Sequence, residues 1–212
     1  LVKIPTLQQF PASAYVLNLK PSETELFANF EKRCRNAISR AEREHFSLRR
    51  VSSLAEIKEY YELHKETYRR TGVVPHPYTY FRGIWEQFGK RDIANFFIAE
   101  RDGQAVAAIN IAVFKGNALY WTGCSKTAEL HTGINNLLQW NAIRFAKQQG
   151  CSWYALGDAF PDARGKLGGL DRFKGSFGAA TKQFFKGKIT YHPNKERVLG
   201  ILQLIKQRCT GR

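Results

Sequence analysis

Methionine is absent from the 212 residues, position 1 is Leu, and only four cysteines occur, Cys34, Cys124, Cys151 and Cys209. A chain without an initiator residue is expected to be a processed product or a portion of something longer. The cysteines stand far apart with no Cys-x-x-Cys spacing, so neither a zinc centre nor a small disulfide framework is expected. A reducing, cytoplasmic compartment is the default. Long apolar runs are also lacking. The stretch Ala105–Phe114 falls far short of the ~18 residues a spanning helix needs, so no transmembrane segment is expected. The first residues lack the basic-then-apolar pattern of a secretory signal. Acidic residues are scarce, 18 against 33 Lys plus Arg, which gives a net charge of +15. Hydrophobic residues make up 43% and aromatics 13%, enough for a sizeable core, which excludes a disordered basic tail. The length suits one large domain, or one domain with an appendage.

The positive excess is concentrated. Residues 32–50 hold seven basic and two acidic residues, 164–188 seven and one, and 195–212 five and one. Elsewhere the signs balance at 14 each. Such clustering suits a polyanionic partner: nucleic acid, a nucleotide diphosphate or an anionic lipid surface. A basic protein with simply solvated faces is the other reading.

Tyr15–Leu19 reads as a strand closed by Pro21. Ser22, with Glu25 three residues on, forms a capping box for a helix expected to run to Glu44. At ~100° per residue, Leu26, Phe27, Phe30, Cys34, Ala37, Ile38 and Ala41 share one face, and Lys32, Arg33, Arg40 and Arg43 lie roughly opposite. Phe46–Val51 reads as a strand. Ser53 caps a helix from Leu54 to Arg70, stopped by Thr71-Gly72, and Pro77 opens another to Phe88. Ala94–Glu100, Gln104–Phe114 and Ala118–Cys124, joined by Asp102-Gly103 and Gly116-Asn117, form an antiparallel meander. A helix over Ile134–Lys147, a strand Ser152–Leu156, a helix Leu167–Phe177, a strand Thr181–Thr190 and a terminal helix Lys195–Arg208 follow. Helices after the first strand, then a meander, then a β-α-β crossover predict an α/β chain with a mixed sheet. That order resembles the GNAT acyltransferase fold. Three segments are expected: 1–45, a strand and basic helix; 46–192, the transferase domain; and 193–212, a C-terminal helix.

No triad, zincin or P-loop motif is present. The five histidines show no metal-ligand spacing, and no metal is expected. His76 stands out because it sits in a Pro-rich aromatic loop between two helices, a common place for binding residues. Coenzyme A sites of GNAT proteins use a Gln/Arg-x-x-Gly-x-Gly/Ala loop before the central helix. Here Leu130–Asn136 keeps one glycine and lacks the arginine and the second glycine. The segment Gly168–Gly178 is glycine-rich at both ends and sets Phe173 beside Lys174. A lysine there could neutralise phosphate or a developing oxyanion. Equally, the helix could pack through Leu170, Phe173 and Phe177 and leave Lys174 in solvent.

Five stretches together resemble the FemABX family. Arg35–Arg43 is similar to its R-x-x-I-R-K-A-x-K helix, with Ser39 where the family usually has Arg, and Phe173-Lys174-Gly175-Ser176-Phe177-Gly178 matches its F-K-x-x-F-G signature. Glu66–Gly72, Leu137–Ile143 with Trp140, and Leu156-Gly157-Asp158 also follow its pattern, so the resemblance runs from about residue 15 to 191. It implies transfer of an amino acid from aminoacyl-tRNA to an amino group of a nucleotide- or lipid-linked peptidoglycan precursor by direct aminolysis, with no cofactor. It further implies a second, N-terminal GNAT-like domain absent from these residues, and allows peripheral contact with the inner membrane surface. On this resemblance Lys174 neutralises the donor's phosphate or leaving group, Phe173 shapes the pocket and Asp158 accepts a proton. Arg35, Arg40, Arg43, Arg69, His76 and Trp140 are the candidate substrate- and phosphate-binding residues. An acyl-CoA-dependent N-acyltransferase on the same fold, and a non-catalytic RNA- or membrane-surface-binding module, are the alternatives.

Overall fold

A computed structural model of the protein describes residues 6–190. The helix expected over 195–208, the segment 193–212, His192 and Cys209 lie outside the described residues. In chain order the elements are β1 (Thr6–Asn18), α1 (Glu23–Ala28), α2 (Lys32–Arg43), β2 (Ser47–Arg50), α3 (Leu54–Thr71), α4 (Tyr78–Gln87), β3 (Ala94–Arg101), β4 (Gln104–Phe114), β5 (Asn117–Ser125), α5 (Ile134–Gln148), β6 (Trp153–Asp158), α6 (Gly165–Gly175) and β7 (Ala180–Thr190). The strands form one mixed sheet ordered β2-β3-β4-β5-β6-β1-β7. Two compact units result, Ser13–Lys182 and a second made of Leu1–Ala12 with Gln183–Arg212. The described part of the second is the outer stretch of β1 and of β7.

In the larger unit both sheet faces are covered. Leu26 of α1, Ile38 of α2 and Phe30 between them pack with Leu138, Trp140 and Ile143 of α5 on one face, over Phe97, Ile109 and Tyr154. Ile57, Tyr60, Phe81 and Ile84 from α3 and α4 cover the other, over Phe96, Ile98 and Cys124. The meander forms as its turn residues require: Asp102 and Gly103 have φ of 51° and 72°, the left-handed pair a tight hairpin needs. The second turn is Lys115-Gly116, at φ 48° and 72°, rather than Gly116-Asn117.

Local signals set several helix ends. Ser22 and Glu25 make the expected capping box, and Glu56 accepts the N–H groups of Ser52 and Ser53 at 2.8 Å. The single helix expected over 22–44 is instead two. Glu31 leaves helical geometry (ψ 146°) and donates its N–H to the Ser176 carbonyl at 2.9 Å. The Arg35 guanidinium donates to the carbonyls of Ala28 (3.0 Å) and Phe30, which the break has freed. The apolar periodicity survives because Leu26, Phe30, Cys34, Ile38 and Ala41 all stay buried. β1 starts well before the expected Tyr15. Pro11 within it lies outside the stretch Ala14–Asn18 that pairs with β6, so it removes no donor from that ladder.

Candidate active site

β5 and β6 run parallel but pair at only three positions, Asn117↔Trp153, Ala118↔Tyr154 and Leu119↔Ala155. Beyond them β5 stays with β4 and β6 stays with β1, so the two central strands diverge toward their C-terminal ends. A bulge accompanies the divergence on each side. The β4–β5 register slips at Trp121, and the β1–β6 register slips at Leu156. Bulges bend the strands that carry them, and ligands of such sheets bind at the carboxyl ends of strands.

The opening holds a cavity of about 180 Å³, walled by Ile109, Tyr120, Leu138 and Gln139, with Leu170 and Phe173 from α6. The last turns of α3 fix its rim. Thr67 accepts the Ser125 N–H at 2.9 Å and donates to the Ser125 carbonyl at 3.0 Å. Arg70 donates to the same carbonyl at 3.1 Å and to the Thr127 hydroxyl at 2.9 Å, while Glu66 accepts the Thr127 N–H at 2.7 Å. The Glu66–Gly72 motif therefore clamps the end of β5. Asn135, in the first turn of α5, donates to the Ser125 hydroxyl at 3.2 Å.

α6 brings the Phe-Lys pair to the same end of the sheet. Phe173 lines the cavity and meets Phe177 edge-on at 5.3 Å. Lys174 is 6% exposed, so it is not the solvated lysine of the packing-only reading. Its ammonium donates to the Asp158 carbonyl at 2.9 Å and lies 5.4 Å from the centre of the Phe160 ring. Asp171 anchors the helix: its carboxylate accepts the Phe160 N–H at 2.6 Å and the Tyr15 hydroxyl at 3.0 Å. Burial and then that carboxylate push the Tyr15 phenol above its ordinary range.

The other candidates separate. Arg35 is half-buried and committed to the α1 carbonyls. Arg40 and Arg43 are exposed on α2. Arg33 and Arg172, with Asn136 and Phe173, border a depression of about 260 Å³ between α2, α5 and α6. Lys174, Arg35 and Arg40 line neither this depression nor the cavity, so they do not share one groove. Arg69 is exposed along a wide surface trough with Glu59, Glu62 and Lys126, and its neighbour Arg70 is the arginine that reaches the cavity. Trp140 sits in the core, edge-on to Phe30 at 5.2 Å, because its place on α5 faces α1 rather than the opening. The His76 N–H donates to His64 Nε2 at 3.1 Å and its ring stacks on Tyr80 at 4.5 Å, among the aromatics of α3 and α4. Sequence reasoning missed Gln139, Tyr120 and Arg70. The available signal was a glutamine inside the apolar run Leu137–Ile143.

Among the described residues no group of three or more His, Cys, Asp or Glu is placed to hold a metal, and no helix is long and apolar enough to cross a membrane.

A mixed sheet with two diverging central strands and a helix starting at their fork is the GNAT-like arrangement expected from the order of elements. The family described as Acetyltransferase (GNAT) domain matches residues 28–174, and the chain belongs to it. Among solved structures it is similar to FemX, with TM-score 0.74 and 16% identity over 88% of this chain and 63% of that one. It is similar also to L-PGS from Bacillus licheniformis, with TM-score 0.60 and 16% identity over 97% of this chain and 68% of that one. A third is the C-terminal domain of a protein named as a lysylphosphatidylglycerol synthetase from Agrobacterium fabrum, with TM-score 0.60 and 15% identity over 86% and 61%. At such identities the likeness is one of fold, and that fold is the GNAT-like one that the order of strands and helices led us to expect. The chain spans about three-fifths of the length of FemX and of the Agrobacterium protein. No curated protein matches the sequence.

Proposed function

We propose that the protein transfers an amino acid from aminoacyl-tRNA to an amino group of a peptidoglycan or related cell-wall precursor, in the cytoplasm. The observation that carries this reading is the Phe173–Lys174 pair at the fork of β5 and β6: an aromatic in the cavity wall and a buried ammonium at the end of β6. An amine attacks the ester carbonyl, a C–N bond forms, a tetrahedral oxyanion collapses, and the C–O bond to the RNA 3′ end breaks. The proton lost by the amine ends on the departing ribose oxygen, with Asp158 as the relay. An activated ester needs mainly positioning and charge stabilisation. Lys174, fixed by the Asp158 carbonyl, stabilises the departing oxygen, and Phe173 seats the donor's end. Arg40 and Arg43, with Arg33 and Arg172, hold RNA phosphates, for which forked guanidinium donors are suited. The Leu130–Asn136 loop, which lacks the glycine pattern for coenzyme A, supports an RNA-borne donor over a thioester. The acceptor site is completed by a further GNAT-like domain.

The test is transfer of radiolabelled amino acid from charged tRNA to an amine-bearing precursor. Lys174→Met, which keeps the buried volume, is expected to lower kcat about 100-fold or more at a temperature where both proteins are fully folded, with a lower melting temperature because the Asp158 carbonyl loses its donor. Equal rates in both proteins would remove Lys174 from the mechanism. Transfer from acyl-CoA but not from charged tRNA would replace this reading with the acyl-CoA one. RNA binding indifferent to charging, without transfer, would replace it with a binding module.

A further inference from the structure

Gln139 is a polar side chain in the wrong company. It stands on the buried face of α5 with Ile134, Leu138, Ala142, Ile143 and Ala146, and it is 0% exposed. One end of its amide is accounted for: Nε2 donates to the Tyr154 hydroxyl at 2.6 Å, and Tyr154 is fully buried as well. The other end, Oε1, has no hydrogen-bond partner. Leaving a buried acceptor unpaired costs roughly 1–3 kcal/mol. Other buried side chains carry unpaired atoms (His64, Asn95 and Asn110), but among the described residues Gln139 alone of these also lines the cavity at the strand fork. Tyr154 belongs to the last pairs before β5 and β6 part, so the Gln139–Tyr154 couple sits at the root of the opening.

The rest of the lining narrows what could satisfy that acceptor. Ile109, Leu130, Leu138, Leu170 and Phe173 make it largely apolar, and no Asp, Glu, Lys or His contributes. Arg70 reaches it, but its Nη1 is engaged by Ser125 and Thr127. A full positive charge would enter without a counterion there, which is costly.

We infer that Gln139 is the specificity-determining residue for the transferred group: its Oε1 accepts a hydrogen bond from an uncharged N–H or O–H beside the acyl carbonyl. The cavity thus takes α-amino or α-hydroxy acyl groups and rejects plain acyl groups of the same size. The inference rests on the transferase reading above. An α-amino group titrates close enough to neutrality to enter as the free amine. A site built around a hydrogen bond rejects an analogue lacking the donor, because the protein's acceptor is then left unpaired.

The experiment compares two non-hydrolysable probes, an adenosine carrying alanine as a 3′-amide and the same adenosine carrying a propionyl 3′-amide, by calorimetric titration. The parent protein is expected to bind the alanyl probe about tenfold tighter or more. Gln139→Leu is expected to abolish the difference by weakening the alanyl probe alone. The double variant Gln139→Leu/Tyr154→Phe removes both polar partners from the core and is expected to fold at least as stably as the parent, with the same loss of discrimination. Equal affinities in the parent, or a loss in the variants common to both probes, overturns the inference. If the parent binds neither adenosine probe, the same acyl pair is presented as pantetheine amides. Gln139-dependent discrimination there keeps the inference and overturns the RNA-borne donor. No binding on either carrier overturns both.

Discussion

At Gly133 the missing side chain is the point. The residue precedes α5 with φ of +88°, and a Cβ there would lie 2.2 Å from the Ala37 carbonyl oxygen. Gly133→Ala therefore meets backbone that cannot step aside, and the expected loss is about 2 kcal/mol or more, read as a lowered urea midpoint. Gly72 is the control. Its φ is +74°, but nothing lies within 4 Å of a built Cβ, so Gly72→Ala should lose only about 1–2 kcal/mol. Equal losses would show that backbone conformation alone sets the cost at Gly133. Both glycines were visible in the sequence as helix-end residues. The approach of Gly133 to α2 was not, because it joins residues far apart in the chain. Gln139 was opaque for the same reason. Its chemistry depends on Tyr154 and on an opening that no local pattern records.

Single elements were legible to the extent that their ends are set locally. Ser22, Ser53 and Gly72 announced three boundaries through capping chemistry, whereas the break between α1 and α2 depends on Ser176 and Arg35 and escaped the periodicity. The α3–α4 connection shows a second kind of blind spot. The loop histidine His76 drew attention, but the buried partner is His64, on α3. Its Nε2 accepts the His76 N–H, so it must be neutral at that nitrogen. Burial, with His76 as a smaller contribution, lowers its pKa from 6.5 to about 4. The unfolded chain therefore binds the extra proton first. Stability from this group is complete above pH ~6.5 and is lost as the pH falls toward 4, on the order of 3 kcal/mol in all. His64→Gln keeps an acceptor that does not titrate, so its melting temperature should fall less between pH 7 and 4.5 than the parent's. Parallel declines would place the acid sensitivity elsewhere.

Across the whole molecule, the charge clusters acquire a spatial meaning. Residues 32–50 and 164–188 are distant in sequence, yet Arg33 donates to the Arg172 carbonyl at 3.0 Å, and both arginines border one depression. The two richest basic segments are thus neighbours, flanking the start of α5. Arg40 and Arg43 make no hydrogen bond or ion pair among the described residues, so replacing both with Ala should leave the melting temperature within about 1 °C. If the surface meets RNA phosphates, the double variant should flatten the slope of log affinity against log salt by about one to two. An unchanged slope would remove α2 from the RNA path. The pairing of β1 with β6 carries a different consequence, for the order in which the fold can be completed. Ala14–Asn18 find their ladder partners only at Trp153–Asp158. During synthesis the first strand waits, both edges unsatisfied, until nearly the whole larger unit has been made, because its neighbours β6 and β7 come last, which makes closing the sheet a late and long-range step.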